Sequence, residues 1–321
     1  MKNKPILIVS GEPKSIFLEI FFKSLKYKKF KSPLILICCV KELKSQMKFF
    51  NFKKNIRLLS IKDLKNKKLD NKKINIININ LKKSLKTNIN NQFSKNYINK
   101  SFDTAFSLIK KKYTNKLLNG PINKKKFLNK KFLGITEYIA KKFSIKKIGM
   151  LIYNNKLSVC PLTTHLPLKL VTKNVTKKLV KEKIILIDNF YKRNLDFKPR
   201  IAVTGLNPHC ESILKFNEDD KIIASSIKFL SKKRINVKGP FSADTIFLQN
   251  NRKKFDVILG MYHDQVLTPA KTLFEYDAIN ITMGLPFLRV SPDHGPNEQM
   301  FRKNKSNPLS LIKALNFLDQ K

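Results

Sequence analysis

Phe255-Asp256-Val257-Ile258-Leu259-Gly260-Met261-Tyr262-His263-Asp264-Gln265 joins a short, wholly apolar run to an abrupt polar cluster. A run of this length, rich in β-branched and aliphatic residues and closed by polar groups, reads as a strand buried on both faces. Six further runs share the pattern: Ile6–Val9, Leu34–Val40, Ile74–Ile79, Ile148–Tyr153, Ile201–Thr204 and Ile279–Met283. Amphipathic stretches separate them, the clearest being Lys177–Arg193, where Val180, Ile184, Ile187 and Tyr191 repeat at helical spacing. Strands alternating with helices predict an α/β fold with a largely parallel sheet. Asn154-Asn155 predicts a hairpin turn between Ile148–Tyr153 and Leu157–Leu162. Glu218, Asp219 and Asp220 are read as acids at the positive end of a helix carrying Ile222, Ile223 and Ile227, and a last helix is expected over Leu309–Leu318.

The chain of 321 residues is long enough for a sizeable core and for two domains. Its formal net charge of +44 is nearly all lysine and is spread along the whole sequence. Asn, Ile and Phe are inflated with it and Trp is absent, the pattern of an AT-rich genome rather than of a nucleic-acid patch. Such a surface draws small anions toward any cleft. Cys38, Cys39, Cys160 and Cys210 are too few and too irregularly placed for a disulfide framework or a spaced zinc knuckle, as in a reducing cytosol. The apolar run Ile6–Val9 is too short for a signal peptide, no segment is long enough to span a membrane, and a cytoplasmic protein is expected. Residues 51–100, almost all Lys, Asn, Ile and Leu, read as a peripheral region without a motif.

In open α/β sheets ligands lie beyond the carboxyl ends of strands. Val257–Met261 delivers His263 there, Ile201–Thr204 delivers His209, and the hairpin strand ending at Leu162 delivers His165. The chain has four histidines, and three of them follow strand ends. Three imidazoles gathered by folding make a divalent-metal site with an open position. Lys271, Asn280 and Arg289 follow in order, and an arginine in a lysine-rich chain suits a planar fork for phosphate or carboxylate. Asp244, in Gly239–Thr245, reads as a contact to substrate or metal-bound water, or equally as a helix cap. The chain has no Gly-x-Gly-x-x-Gly, Walker or Gly-x-Ser-x-Gly motif.

Taken in order, several blocks resemble the 4-hydroxythreonine-4-phosphate dehydrogenase family of vitamin B6 biosynthesis. They are Ser10-Gly11-Glu12-Pro13, Asn119–Lys124, Gly134–Tyr138, Thr163–Leu168, Gly205–His209, Gly239–Thr245, Met261–Gln265, Asn280–Pro286 and Asp293-His294-Gly295. The resemblance implies two α/β/α domains with a cleft between them, as in isocitrate and isopropylmalate dehydrogenases. The first would comprise 1–135 with about 270–321, and the second about 136–269. It also implies a homodimer with active sites at the subunit interface. His165, His209 and His263 then match metal ligands for Zn, Mg or Co, while Thr136, Lys271, Asn280 and Arg289 match substrate-binding residues. Asp244 and Lys271 are the candidate catalytic groups, and no residue is assigned to the NAD or NADP cofactor. The implied reaction oxidises 4-phosphooxy-L-threonine and decarboxylates the product to 3-amino-2-oxopropyl phosphate, toward pyridoxal 5'-phosphate.

Three segments depart from that pattern. Lys14–Glu19 replaces a glycine-rich stretch, Ile135 stands where the family has a substrate-binding histidine, and Pro296–Arg302 replaces a small, glycine-containing segment expected to border the cofactor. Two other readings stay open on these residues: the same chemistry on a related phosphorylated hydroxy acid, and a non-catalytic basic protein that binds nucleic acid on a decayed dehydrogenase fold.

Overall fold

The structure is a computed structural model; the residues described are 3–62, 64, 68–81, 91–123, 127–128, 132, 134–211 and 216–321. Lys124, which ends the Asn119 block, lies outside them. The chain divides into two compact units, residues 1–135 with 286–321, and residues 136–285.

The first unit carries six parallel strands: β1 (Ile6–Val9), β2 (Leu34–Cys38), β3 (Ile56–Leu58), β4 (Ile74–Asn78), β5 (Lys116–Asn119) and β12 (Leu288–Pro292). Their order is β3-β4-β2-β1-β5-β12, every pairing parallel. Parallel strands need both faces covered. Accordingly Ile6–Val9 and Leu34–Cys38 are buried at every position, and helices Phe17–Tyr27, Val40–Phe49, Asn91–Lys110 and Leu309–Asp319 flank them in sequence. Residues 51–100 contribute more than a periphery. β3 is indeed an edge strand, but Tyr97 of helix Asn91–Lys110 hydrogen-bonds Ser10 Oγ at 2.9 Å and accepts from Cys39 N at 3.1 Å, and Ser94 donates to Glu12. That lysine- and asparagine-rich helix therefore braces the Ser10-Gly11-Glu12 turn.

The second unit carries β6 (Gly149–Tyr153), β7 (Ser158–Pro161), β8 (Ile201–Thr204), β9 (Val237–Phe241), β10 (Val257–Gly260) and β11 (Ile279–Met283), in the order β11-β6-β7-β10-β8-β9. β7, β10, β8 and β9 run parallel, whereas β6 pairs antiparallel with both β7 and β11. The expected Asn154-Asn155 hairpin joins β6 to β7, and Asn154 Oδ1 accepts from Lys156 N at 2.8 Å, an Asx turn. Because β11 is hydrogen-bonded along β6, the chain stays in this unit until Leu285 rather than leaving near residue 270. Lys271 and Asn280 therefore belong to the second unit.

The opening sequence occupies the middle of this sheet. Val257, Ile258 and Leu259 are fully buried between β7 and β8, and Ile258 packs with Ile152, Val159, Ala202 and Val266. Each such side chain removed from water contributes roughly 1.5–3 kcal/mol. Helix Lys177–Asn194 buries Val180, Ile184, Ile187 and Tyr191 as its spacing predicts, and its Thr176 hydroxyl caps Leu179 N at 3.2 Å. Among the described residues no helix is long and apolar enough to cross a membrane.

Candidate functional site

The carboxyl ends of β7, β10 and β8 lie side by side in the second unit, and each leads into one of the three histidines. Leu162 N donates to Gly260 O at 2.7 Å, and Thr163 Oγ1 donates to Met261 O at 2.8 Å, so the turn bearing His165 is fastened to the end of β10. Helix His263–Phe274 begins there, and Gly260 permits it because a Cβ on that residue would fall 2.3 Å from Val266 Cγ1. The His165 and His263 rings stand 5.8 Å apart, centroid to centroid. Two imidazoles sharing one tetrahedral ion would sit about 5 Å apart by the usual zinc–nitrogen lengths. His263 Nδ1 meets the exposed Asp264 carboxylate at 2.6 Å. A carboxylate on one ring nitrogen fixes the tautomer and leaves Nε2 for a metal.

His209 is placed differently. It sits exposed on a tight turn, Pro208–Cys210, with its Nδ1 3.5 Å from Ser242 Oγ. It and Cys210 both have positive φ, +56° and +62°. Two consecutive non-glycine residues in the left-handed region persist only where their surroundings over-determine them. Much of that constraint comes from Asp219, which is fully buried and accepts from Leu206 N at 2.6 Å, Asn207 N at 3.2 Å and Asn207 Nδ2 at 2.8 Å. The acid expected at a helix end does stand in the first turn of the helical segment Asp219–Ala224, and it holds the histidine turn as well. Gly205 is required beneath it, since a Cβ there would lie 2.6 Å from both Asp219 Oδ1 and Cys210 Sγ. Cys210 is half-buried, and desolvation followed by the neighbouring Asp219 charge raises its thiol pKa.

Within one chain, then, the fold brings His165 and His263 together and not His209. Among the described residues no three His, Cys, Asp or Glu side chains are grouped closely enough to hold a metal. The donor set fits a divalent ion in its chemistry, and two-thirds of it fits in geometry.

The remaining expected residues fall into two groups. Thr136, buried at the start of helix Ile135–Lys142, lies 3.4 Å from Thr282 of β11, hydroxyl to hydroxyl. Asn280 precedes Thr282 by two residues and shares its face of the strand. Its Oδ1 is buried and accepts no hydrogen bond from the described residues, a state that costs roughly 1–3 kcal/mol and suits the donor of a bound ligand. Lys271 is half-buried, two turns along the helix that begins at His263. Asp244 is exposed, two residues beyond the Ser242 that meets His209. Arg289, in the first unit, is 1% exposed in β12 and donates from Nε to Asn119 Oδ1 at 2.8 Å.

Two of the departures from the family pattern meet in the first unit. Ile16 N donates to Pro296 O at 3.2 Å, and Glu19 Oε1 accepts from Ser306 N at 2.7 Å. Arg302 stacks at 5.3 Å on both Phe49 and Phe301 and donates to Ser45 Oγ at 2.8 Å. The side chains that replace glycine are built into the packing of that unit. Gln265, which the sequence places in the polar cluster after Met261 without a role, has an amide that touches two strand ends at once.

Comparison with known proteins agrees with this architecture. A 4-hydroxythreonine-4-phosphate dehydrogenase from Sulfurihydrogenibium sp. (strain YO3AOP1) is 38% identical over 217 residues, 66% of this chain and 67% of that one. A D-threonate 4-phosphate dehydrogenase from Salmonella typhimurium is 31% identical over 301 residues, 92% of each chain. The crystal structure of 4-hydroxythreonine-4-phosphate dehydrogenase from Klebsiella pneumoniae is 27% identical, with a TM-score of 0.83 over 98% of both chains. For several other curated relatives the matched stretch spans only about half to under two thirds of their length. The family model described as "Pyridoxal phosphate biosynthetic protein PdxA" matches residues 29–318, and the chain belongs to that family.

Proposed function

We propose that the chain is an NAD- or NADP-dependent dehydrogenase that oxidises the secondary alcohol of 4-phosphooxy-L-threonine. The β-keto acid so formed loses carbon dioxide to give 3-amino-2-oxopropyl phosphate. The observation that carries this reading is the His165–His263 pair at the end of β10, with a third histidine exposed on the adjacent strand end of a PdxA-family chain.

His165, His209 and His263 would hold a divalent ion. Held by neutral imidazoles, such an ion would supply positive charge that favours ionisation of the alcohol and loss of carbon dioxide. The chain's own groups do the rest. Asp264 orients the His263 ring, and Thr136 with the unpartnered Asn280 oxygen offers polar contacts to the substrate's hydroxyl and ammonium groups. Lys271 and Arg289 are assigned to phosphate and carboxylate, fixing the reacting carbon for hydride transfer. Asp244 is assigned a substrate or water contact.

The exposed ring of His209 supports a more specific assignment: the third ligand comes from His209 of a second copy, so that a homodimer holds two shared sites. Closed two-fold dimers make such exchange reciprocal. The test mixes two inactive proteins, His209→Ala and His263→Ala, after reversible dissociation. Random reassortment puts half the molecules in mixed dimers with one intact site each, so recovery of about a quarter of wild-type turnover is expected. No recovery, with mixed dimers demonstrated, would place all three ligands in one chain.

A further inference from the structure

We infer that Gln265 is a positioning residue that sets the spacing between the histidine-bearing strand ends; this rests on the metal-site reading above. Its Oε1 accepts from Met261 N at 2.7 Å and from Thr204 Oγ1 at 2.8 Å, while its Nε2 donates to Gly205 O at 2.8 Å. The amide's orientation is fixed by its partners, since a backbone N–H demands an acceptor and a carbonyl demands a donor. One side chain thus ties the end of β8, where the His209 turn begins, to the end of β10, where the His263 helix begins. Thr163 Oγ1 adds the end of β7 by donating to the carbonyl of the same Met261. The three strand ends are pinned at one residue, Met261.

The ladder between β8 and β10 runs through Val203 and Leu259, and Gly205 N donates to Phe241 O at 2.9 Å. Beyond Gly205 the chain enters the strained pair His209-Cys210, and the contacts that hold the turn are made by side chains. Asp219 grips that turn through Leu206 and Asn207, but Asp219 itself lies on the following helical segment rather than on the sheet. Gln265 is the side chain that refers the turn to β10. In a dimer that shares its ligands, His209 and His263 of one chain serve different ions, so Gln265 fixes the distance between two half-sites. No other amino acid reproduces the set: glutamate retains the acceptor but cannot donate to Gly205 O, and alanine retains neither.

Cobalt(II) titration of the metal-free protein tests this without reference to turnover, with visible absorption as a second readout of ligand geometry. Outer-shell partners of metal ligands typically contribute 10–100-fold in affinity. Gln265→Ala and Gln265→Glu are expected to bind cobalt about 10–100-fold more weakly than wild type and to shift its visible bands. Gln265→Glu, which keeps two of three bonds, provides the measurement should Gln265→Ala fail to fold. Wild-type affinity and spectrum in both variants, alongside lost binding in His263→Ala, would overturn the role of Gln265 alone. Equal cobalt binding by wild type and His263→Ala would instead overturn the metal site itself.

Discussion

His263→Ala is expected to fold normally and to lose at least about 1,000-fold in kcat/KM, the equivalent of about 4 kcal/mol of transition-state stabilisation. The ring is partly exposed at the start of its helix and lies outside the core cluster around Ile258, so its removal leaves the burial of Val257, Ile258 and Leu259 intact. What disappears is half of the imidazole pair, together with the Asp264 contact that orients it. Thermal unfolding within a few degrees of wild type, with turnover and metal affinity both lost, is the expected result. A variant that kept its turnover would remove His263 from the chemistry.

Asp219→Ala is expected to act on both stability and the site. The carboxylate is fully buried and accepts three hydrogen bonds from Leu206 and Asn207, two of them from backbone. Removing it strands those donors, and bonds to a charged acceptor contribute roughly 1.5–3 kcal/mol. Chemical denaturation should show a loss of about 3 kcal/mol, and the same variant should bind metal about 10–100-fold more weakly because the His209 turn is no longer held in its left-handed conformation. An unchanged unfolding midpoint together with unchanged metal affinity would show that Asp219 does neither.

The contrast between these residues shows what the sequence made legible. Val257–Gly260 and Ile201–Thr204 announced themselves because a doubly covered parallel strand is apolar throughout, and the polar residues that follow mark its end. Helix Lys177–Asn194 was legible for the same reason at a different period. β5 was not, because it opens with Lys116 and closes with Asn119; the lysine is nevertheless 3% exposed and its amine reaches Ser32 Oγ at 3.1 Å. β9 was hidden by Gly239 and Pro240, and β12 by Arg289 and Pro292.

In the site, the histidines were visible as residue types placed after strands. The three were also expected to gather, and within one chain the structure brings together His165 and His263. Whether His209 joins the other two depends on how its turn is held, and its holders stand far along the chain: Asp219 twelve to thirteen residues away and Gln265 sixty. Local pattern carries no record of such bonds. The domain boundary shifted for a similar reason, since pairing of β11 with β6 links residues more than a hundred positions apart.

The most direct test follows NAD(P)H formation by the purified protein on 4-phosphooxy-L-threonine, with D-threonate 4-phosphate as a second substrate, before and after treatment with a chelator and again after divalent metal is restored. Reduced cofactor and carbon dioxide should appear together with 4-phosphooxy-L-threonine as the better substrate, vanish with the chelator and return with metal. Turnover that persists in chelator, or that appears only on D-threonate 4-phosphate, would contradict the account.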